Sequence, residues 1–416
     1  MPRLLLLLAL VASALPAAAQ HDSDEERPPF ELGYARPDDG PLSRYLRFRE
    51  AVPLYADGSA GAGFVRQQLA QYAALHGRHA EALHYDAIAY GTDPDTVAAL
   101  PAGVRAVDAV AEIVRRADST RVVMVNERHH DASDRLLTLD LLAPLYERGY
   151  RYLAAETFAP DSILSTVTDY PTVGMGYYSD EPVFGALVRE ALRLGYVLVP
   201  YEARREDEVE DDTLSGGDRR EYAQAEHLAT VLNADPDARI LVHAGYGHIN
   251  EIETEYMTPM AWYVRALTGI DPLTVDQTYT WGSPDPAESG PFYRAALAAG
   301  LVDETAVILV DADGQPVSVQ EEGAKDLYAV REAVERPVAS LDYAALRPLT
   351  LPAACGACVV EVQRADEGAD AVPVDRMTVL DGGTVRLVGP TDVPLVVTVV
   401  EGRTGALLDR RIATAR

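Results

Sequence analysis

The chain has 416 residues, of which 36 are Lys or Arg and 65 are Asp or Glu, so its formal net charge is −29. Such an acidic surface repels phosphate backbones and anionic headgroups, which argues against nucleic-acid binding and against adhesion to anionic lipid. With 48% hydrophobic and 24% charged residues the composition is that of a globular protein, and the length predicts more than one domain.

The first 19 residues have the pattern of a secretory signal peptide. Arg3 supplies a positive charge, residues 4–15 form an apolar stretch, and Ala17-Ala18-Ala19 precede the predicted cleavage point. The apolar run is too short for a membrane span, and no other segment reaches about 18 uninterrupted apolar residues. The pattern predicts an exported protein, periplasmic or extracellular, without a membrane span.

Two segments precede the main domain. Residues 20–63 are rich in Asp, Pro and Gly and lack periodicity, which predicts a flexible leader. The apolar spacing over residues 65–90 predicts a helical hairpin that turns at His76-Gly77 and resembles one tetratricopeptide unit. Because one such unit cannot bury its own apolar face, we interpret the hairpin as a helical prelude to the next domain.

Residues 105–280 alternate apolar strands with amphipathic helices, which predicts an α/β domain with a largely parallel sheet flanked by helices. With the helical prelude and the segments that follow, this domain is predicted to span residues 64–345. The predicted strands are 121–125, 150–155, 196–200 and 239–244, with further candidates at 272–277 and 306–310. The predicted helices are 134–148, 182–194 and 219–233.

The C-terminal segment, residues 346–416, is predicted to be a small all-β module with strands at 359–363, 384–388 and 394–400 and a hairpin turn at 381–383. Its Cys355 and Cys358 are the only cysteines. A strand rather than a helix follows them, which argues against a redox motif, and a second ligand pair for zinc is missing. A structural disulfide or a pair of free thiols is favoured.

Acids and histidines follow the predicted parallel strands of the α/β domain. In an open α/β sheet, ligands bind at the carboxyl ends of the strands. An imidazole beside carboxylates can act there as a general base, or the same groups can ligate a divalent metal, and spacing alone does not separate these alternatives. The candidate residues are Glu127, His129 and His130 after the first strand, Glu156 after the second, Glu202 after the third, and His243 and His248 in and after the fourth.

These motifs resemble the erythromycin-esterase-like, ChaN-like and Tiki/TraB superfamily. The resemblance covers roughly residues 100–280 and implies that Glu127, His129, Glu156 and His248 take the functional positions, with His130 able to replace His129. Asn126 stands where the family usually has Gly. The segments that carry the resemblance are residues 122–130, 153–157, 176–182, 200–202 and 242–248.

The resemblance implies several activities, because members of the superfamily differ. Erythromycin esterases hydrolyse a lactone, Tiki-type members are metal-dependent proteases, and ChaN-type members bind haem. Our first hypothesis is an exported hydrolase of ester or related acyl bonds on a small-molecule substrate, in which His129 is the base and His248 or Arg128 stabilises the oxyanion. A metal-dependent variant would use Glu127, His129 and His248 as ligands.

Two further alternatives do not involve turnover. The first is a haem or small-ligand binding protein, with Tyr170, Tyr177 or Tyr178 as the iron ligand. The second is an interaction protein whose site has decayed, for which the helical prelude and the β module are suitable docking elements.

Overall fold

The computed structural model describes residues 29–90, 96–167, 169–204, 207, 214–255 and 257–413. The chain forms two compact units: unit 1 comprises Met1–Gly91, Asp342–Asp366 and Asp375–Arg416, and unit 2 comprises Thr92–Leu341 and Glu367–Val374. The predicted signal peptide lies outside the described residues, so export stays a prediction. Within the described ranges, no helix has the length and apolar character needed to cross a bilayer.

The helices of the described residues are α1 (Ser43–Ala51), α2 (Ala60–Leu75), α3 (His79–Tyr90), α4 (Ala109–Ala117), α5 (Asp134–Glu147), α6 (Asp161–Leu164), α7 (Pro182–Leu194), α8 (Gly216–Ala234), α9 (Met260–Thr268) and α10 (Pro291–Ala298). The strands are β1 (Arg105–Asp108), β2 (Val122–Glu127), β3 (Tyr152–Ala155), β4 (Val197–Pro200), β5 (Ile240–Gly245), β6 (Leu273–Asp276), β7 (Val307–Val310), β8 (Leu327–Val330), β9 (Ala344–Ala345), β10 (Leu349–Thr350), β11 (Cys358–Arg364), β12 (Asp375–Val379), β13 (Thr384–Val385), β14 (Val388–Gly389), β15 (Leu395–Glu401) and β16 (Leu407–Ala413).

Unit 2 is built on an eight-stranded sheet with the order β1-β7-β8-β6-β2-β5-β3-β4. The pairs from β8 through β6, β2, β5 and β3 to β4 are parallel, whereas β7 is antiparallel to both β1 and β8. The predicted α/β class and its largely parallel sheet are thus confirmed. After β2 the chain forms β3, β4 and β5 on one side of β2, and it later forms β6 on the other side of β2. The strand order therefore reverses at β2 and β5, and sheets of this kind bind ligands at such a switch point.

Helices cover both faces of the central strands. Every residue of β2 and β5 is buried, as expected for parallel strands between two helical layers. On one face, Met124 of β2 and Val242 of β5 share an apolar cluster with Leu228 of α8 and Val264 of α9. On the other face, Thr138 of α5 contacts the side chain of His243. The sheet therefore holds its strand ends rigidly.

Helix α7 has the ends that the sequence predicts. The prediction covers residues 182–194, and the helix spans Pro182–Leu194. The Glu181 side chain accepts a hydrogen bond from Phe184 N at 2.9 Å, and Pro182 occupies the first turn, where its missing N–H costs nothing. Gly195 ends the helix in the left-handed conformation with φ 91°.

Unit 1 contains the predicted helical hairpin, formed by α2 and α3, and Gly77 makes the turn with φ 71°. The predicted leader is wrong for its described part, because α1 lies within residues 20–63. Tyr45 and Phe48 of α1 are completely buried in a cluster that also contains Val65 of α2 and Val359 of β11. The hairpin thus buries its apolar face within unit 1, whereas the prediction joined residues 64–91 to the α/β domain.

The C-terminal strands form a four-stranded antiparallel sheet with the order β12-β11-β15-β16, which confirms the predicted β module. The hairpin turn predicted at residues 381–383 is wrong. The strands on either side of it belong to different sheets, since β12 pairs with β11 and β13 pairs with β10. Cys355 and Cys358 are joined by a disulfide.

We predict that Phe48→Ala destabilises unit 1. Phe48 is 0% exposed, and removing a buried phenylalanine typically costs about 3–5 kcal/mol because a cavity remains. Urea unfolding followed by circular dichroism measures the effect. Leu54→Ala is the control, because Leu54 is 72% exposed and should change the free energy of unfolding by less than about 0.5 kcal/mol. Equal behaviour of the two variants would mean that this segment is not part of the folded core.

Candidate functional site

The register of the sheet brings together the ends of β2, β5 and β3. Glu127 is paired with Gly245 across β2 and β5, and Ala155 is paired with His243 across β3 and β5. Glu156, which follows Ala155, donates its backbone N–H to the carbonyl oxygen of His243 at 3.1 Å. Carboxylates and imidazoles that are far apart in sequence therefore meet at one edge of the sheet.

The Glu127 carboxylate is the centre of this site. Its side chain is 0% exposed, and Arg135 of α5 donates to it through Nε at 2.7 Å and Nη2 at 3.3 Å. His243 Nε2 lies 2.8 Å from Glu127 Oε2, and His243 Nδ1 lies 2.9 Å from Thr138 Oγ1. Arg135 also donates to Glu181 at 2.9 Å, so one buried guanidinium joins two buried carboxylates.

Charge compensation keeps Glu127 ionised. Burial alone would raise the pKa of Glu127, but Arg135, His243 and His129 hold it well below its usual range. A buried carboxylate is stable only when it is paired and hydrogen-bonded. Glu127 forms an ion pair with Arg135 and further contacts with His243 and His129, so its carboxylate stays an anion.

His129 also contacts the Glu127 carboxylate. Its Nδ1 lies 3.0 Å from Glu127 Oε1, and its Nε2 lies 4.0 Å from Glu156 Oε2. The rings of Tyr178 and Tyr246 lie against it, with centroids at 4.5 and 5.2 Å. The His129 side chain is 16% exposed, whereas that of His243 is 0% exposed, so of these two histidines His129 is the accessible one.

Gly245 makes the close approach of His129 possible. A Cβ at this position would lie 2.6 Å from His129 Nε2 and 2.8 Å from Glu156 Oε2, closer than real Cβ contacts allow. The Gly245 backbone N–H instead donates to Glu156 Oε2 at 2.7 Å. A glycine is thus required at the end of β5 because the imidazole and the carboxylate occupy the side-chain space.

Arg220 of α8 pairs with the carboxylates of Glu156 and Glu202. It donates through Nη2 to Glu156 Oε1 at 2.6 Å, and through Nε and Nη2 to Glu202 at 2.9 and 2.6 Å. This pairing draws Glu202 into the site although β4 is the edge strand of the sheet. Burial alone would raise the pKa of Glu156, but His248, His129 and Arg220 hold it well below its usual range.

His248 lies between two carboxylates. Its Nδ1 is 2.7 Å from Glu221 Oε1 of α8, and its Nε2 is 3.4 Å from Glu156 Oε1. Burial would lower the pKa of His248, but Glu221 and Glu156 raise it to about 10 against the opposing charge of Arg220. The two carboxylates therefore favour the protonated form of His248, whose Nε2 also lies 3.0 Å from Arg220 Nη1.

Two residues of the predicted set have other surroundings. His130 is 2% exposed, and its Nδ1 lies 3.4 Å from Tyr246 Oη. Arg128, our second candidate for oxyanion stabilisation, pairs with Asp131 and lies over the Trp281 ring at 5.3 Å. The contacts of Arg128 thus differ from those of His129, and the predicted role of Arg128 in stabilising the oxyanion is not supported.

Asn126 ties the end of β2 to the neighbouring loops. Its Nδ2 donates to Tyr246 O at 2.7 Å and to Asp276 Oδ2 at 2.6 Å. The Asp276 carboxylate also accepts from Lys325 Nζ at 2.6 Å, and the side chains of both residues are 0% exposed. Asn126 thereby anchors the backbone of Tyr246, whose ring lies beside His129.

Sequence reasoning missed Arg135, Glu181, Arg220 and Glu221. For Glu221 a signal was present, because it lies four and seven residues before Ala225 and Leu228 on the buried side of α8. An acid on the apolar stripe of a helix needs a buried partner. Arg135 offered a similar signal, since it lies seven residues before Leu142 on the buried side of α5, but its partners in β2 and in the loop before α7 are distant in sequence.

The residues present do not fit a divalent metal. Glu127 already pairs with Arg135, and Glu156 pairs with Arg220. Throughout the described ranges, no group of three or more His, Cys, Asp or Glu side chains is arranged to hold a metal ion. The ligand set Glu127, His129 and His248 is therefore not supported by the geometry.

The tyrosines named as haem ligands do not favour that alternative. Tyr170 donates to Asp370 at 3.2 Å, and Tyr177 is 41% exposed. Burial together with the charges of Glu156 and Glu127 raises the pKa of Tyr178 well above its usual range. The phenolate form that binds haem iron is thus disfavoured at Tyr178.

Comparisons with known proteins give one similarity. No family model matches the chain, and no curated protein matches it. Among solved structures, the chain is similar to the one described as "The structure of the type III effector HopBA1", with 15% identity over 47% of this chain and 95% of that chain and a TM-score of 0.29. Membership of the erythromycin-esterase-like superfamily stays a prediction.

We predict that Gly245→Ala disturbs the site and destabilises the fold, because the added Cβ would overlap His129 and Glu156. Overpacking of this kind costs about 1–3 kcal/mol. Gly247→Ala is the matched control, since its Cβ would find its nearest neighbour at 3.6 Å. Urea unfolding compares the two, and equal stabilities would contradict the packing described for His129.

A second prediction concerns the pH dependence of stability. The pKa of His248 is raised to about 10 in the folded protein, so its stabilising charge is fully present below pH about 6.5 and is lost as pH rises towards 10. His248→Gln should cost a few kcal/mol near pH 7, since one pKa unit corresponds to about 1.4 kcal/mol, and less at pH 10. A pH-independent difference between parent and variant in urea unfolding would refute the ion pairing.

Proposed function

We propose that the protein hydrolyses an ester or related acyl bond of a small molecule, with His129 as the general base. One observation carries the proposal. Nδ1 of His129 contacts the ionised Glu127 at 3.0 Å, while Nε2 has no hydrogen bond to any described residue and belongs to a partly exposed side chain. A carboxylate that accepts from Nδ1–H leaves the lone pair on Nε2 available to a substrate water.

The reaction proceeds by proton transfer through His129. Nε2 removes a proton from a water molecule, and the resulting hydroxide adds to the acyl carbon while the carbonyl electrons move to the oxygen. The tetrahedral adduct expels the leaving oxygen, which receives the proton from the imidazolium. The ionised Glu127 stabilises that imidazolium, as in other histidine and carboxylate pairs.

Glu156 is proposed to orient the attacking water. Its Oε2 lies 4.0 Å from His129 Nε2, a separation that one bridging water can span, because two hydrogen bonds of ordinary length can meet at an angle on its oxygen. Gly245 N–H and Arg220 fix this carboxylate from two directions. Since His248, His129 and Arg220 hold the pKa of Glu156 well below its usual range, the carboxylate serves as a hydrogen-bond acceptor for the water.

The acidic surface of the chain favours a substrate without negative charge. The net charge is −29, and the site itself contains the carboxylates of Glu127, Glu156 and Glu202. Neutral or cationic small molecules approach such a surface more readily than anionic ones. The proposal therefore concerns an ester without negative charge.

We predict that His129→Ala lowers kcat for hydrolysis of p-nitrophenyl butyrate roughly 10²- to 10⁴-fold, the usual contribution of a general base. The control is His84→Ala, which removes an exposed histidine of unit 1. Release of p-nitrophenol, followed by its visible absorbance, measures turnover. Thermal unfolding of both variants separates lost chemistry from lost structure.

Full turnover by folded His129→Ala would exclude the assigned base. Equal losses in His129→Ala and His84→Ala would show that hydrolysis arises from general surface imidazoles. His129→Gln provides a second test, because glutamine keeps polar atoms near Glu127 without supplying a base, and it should be as inactive as the alanine variant.

A further inference from the structure

The proposed reaction lacks one component. The carbonyl oxygen becomes negatively charged in the transition state and requires a hydrogen-bond donor. The two groups expected from sequence are both engaged, because Arg128 pairs with Asp131, and His248 lies between Glu221 and Glu156. A donor close to His129 but not already bound is therefore needed.

Tyr178 meets this requirement. Its ring lies against His129 with centroids 4.5 Å apart, and the residue is 6% exposed. Its Oη is buried and has no hydrogen-bond partner among the described residues. An unpaired buried hydroxyl is unfavourable, so proteins rarely keep one unless a ligand or a water satisfies it.

The position of Tyr178 is fixed by its backbone. Its N–H donates to Thr157 Oγ1 at 3.0 Å, and Tyr177 N donates to Thr157 O at 3.1 Å. A Cβ at Gly176 would overlap Thr157 O and lie 2.9 Å from Ser179 Oγ, so this glycine lets the segment lie directly on the loop after β3. Tyr178 is thus held at the same sheet edge as Glu156.

The hydroxyl is held in its protonated form. Burial and the negative charges of Glu156 and Glu127 raise the pKa of Tyr178 well above its usual range. A phenol that keeps its proton can donate a hydrogen bond but does not act as a base. The ring also packs against the Arg135 guanidinium, with 5.4 Å between the guanidinium carbon and the ring centroid.

We propose that Tyr178 Oη donates a hydrogen bond to the carbonyl oxygen of the bound ester and stabilises its developing negative charge. This role rests on the proposed function. It gives the unpaired hydroxyl a partner that arrives with the substrate, and it makes Tyr178 a catalytic residue that neither the sequence motifs nor the assignment of the base identified.

The experiment uses Tyr178→Phe, which removes only the hydroxyl. Hydrolysis of p-nitrophenyl butyrate and of ethyl butyrate is compared between parent and variant. We expect kcat to fall roughly 10²-fold for both esters with little change in KM, because one oxyanion donor is lost. The thermal midpoint should stay equal or rise, since no hydrogen bond within the described protein is broken.

Two matched tyrosines serve as controls. Tyr177→Phe changes the adjacent residue, which is 41% exposed, and should leave kcat unchanged. Tyr196→Phe removes a buried hydroxyl that donates to Leu142 O at 2.7 Å, and should lower the thermal midpoint without affecting the site. Together they distinguish a catalytic hydroxyl from a structural one.

The other possible outcomes would overturn the role of Tyr178 or the proposed function. A loss for ethyl butyrate alone would assign Tyr178 to the leaving group and overturn the carbonyl role. A lower thermal midpoint with normal kcat would mean that the hydroxyl binds a structural water. If the parent hydrolyses neither ester, the proposed function fails and takes this role with it, whereas an active parent with a fully active Tyr178→Phe overturns only the role of Tyr178.

Discussion

The site depends on one buried ion pair, between Glu127 at the end of β2 and Arg135 at the start of α5. A lone carboxylate at this depth would be protonated, because removing its charge from water costs several kcal/mol. Paired with Arg135, it remains an anion with two further acceptor positions. His243 and His129 take these positions, and of these two side chains that of His129 is the partly exposed one.

The second carboxylate, Glu156, has a different kind of environment. It is held by a backbone N–H of β5 and by the guanidinium of Arg220, which also reaches Glu202 from the edge strand. The two acids therefore flank His129 from β2 and β3, the strands on either side of β5, and different cations compensate their charges. The strands of the sheet fix the separation between these two carboxylates.

The α/β class, the central parallel strands β2 to β5 with the helices between them, and the acids at the strand ends are readable from the sequence, because apolar period and helix caps are local signals. Strands β1 and β8 and helices α4 and α10 were not predicted from the sequence. The partners of those acids were not, since Arg135 and Arg220 reach them only after the helices pack on the sheet. Helix α1 was missed because its buried aromatic residues lie in a segment rich in Asp, Pro and Gly, and its core includes Val359 from far along the chain.

Lys325 has a practical consequence for studying this protein. It is the single lysine of the sequence, and its ammonium group lies out of solvent beside Asp276. Burial lowers the pKa of Lys325, but acylating reagents must first reach the amine. Apart from the terminal amine, acylation of the native chain therefore reports the opening of unit 2 around β6 and β8, and the surface positive charge is carried by guanidinium groups, which such reagents leave intact.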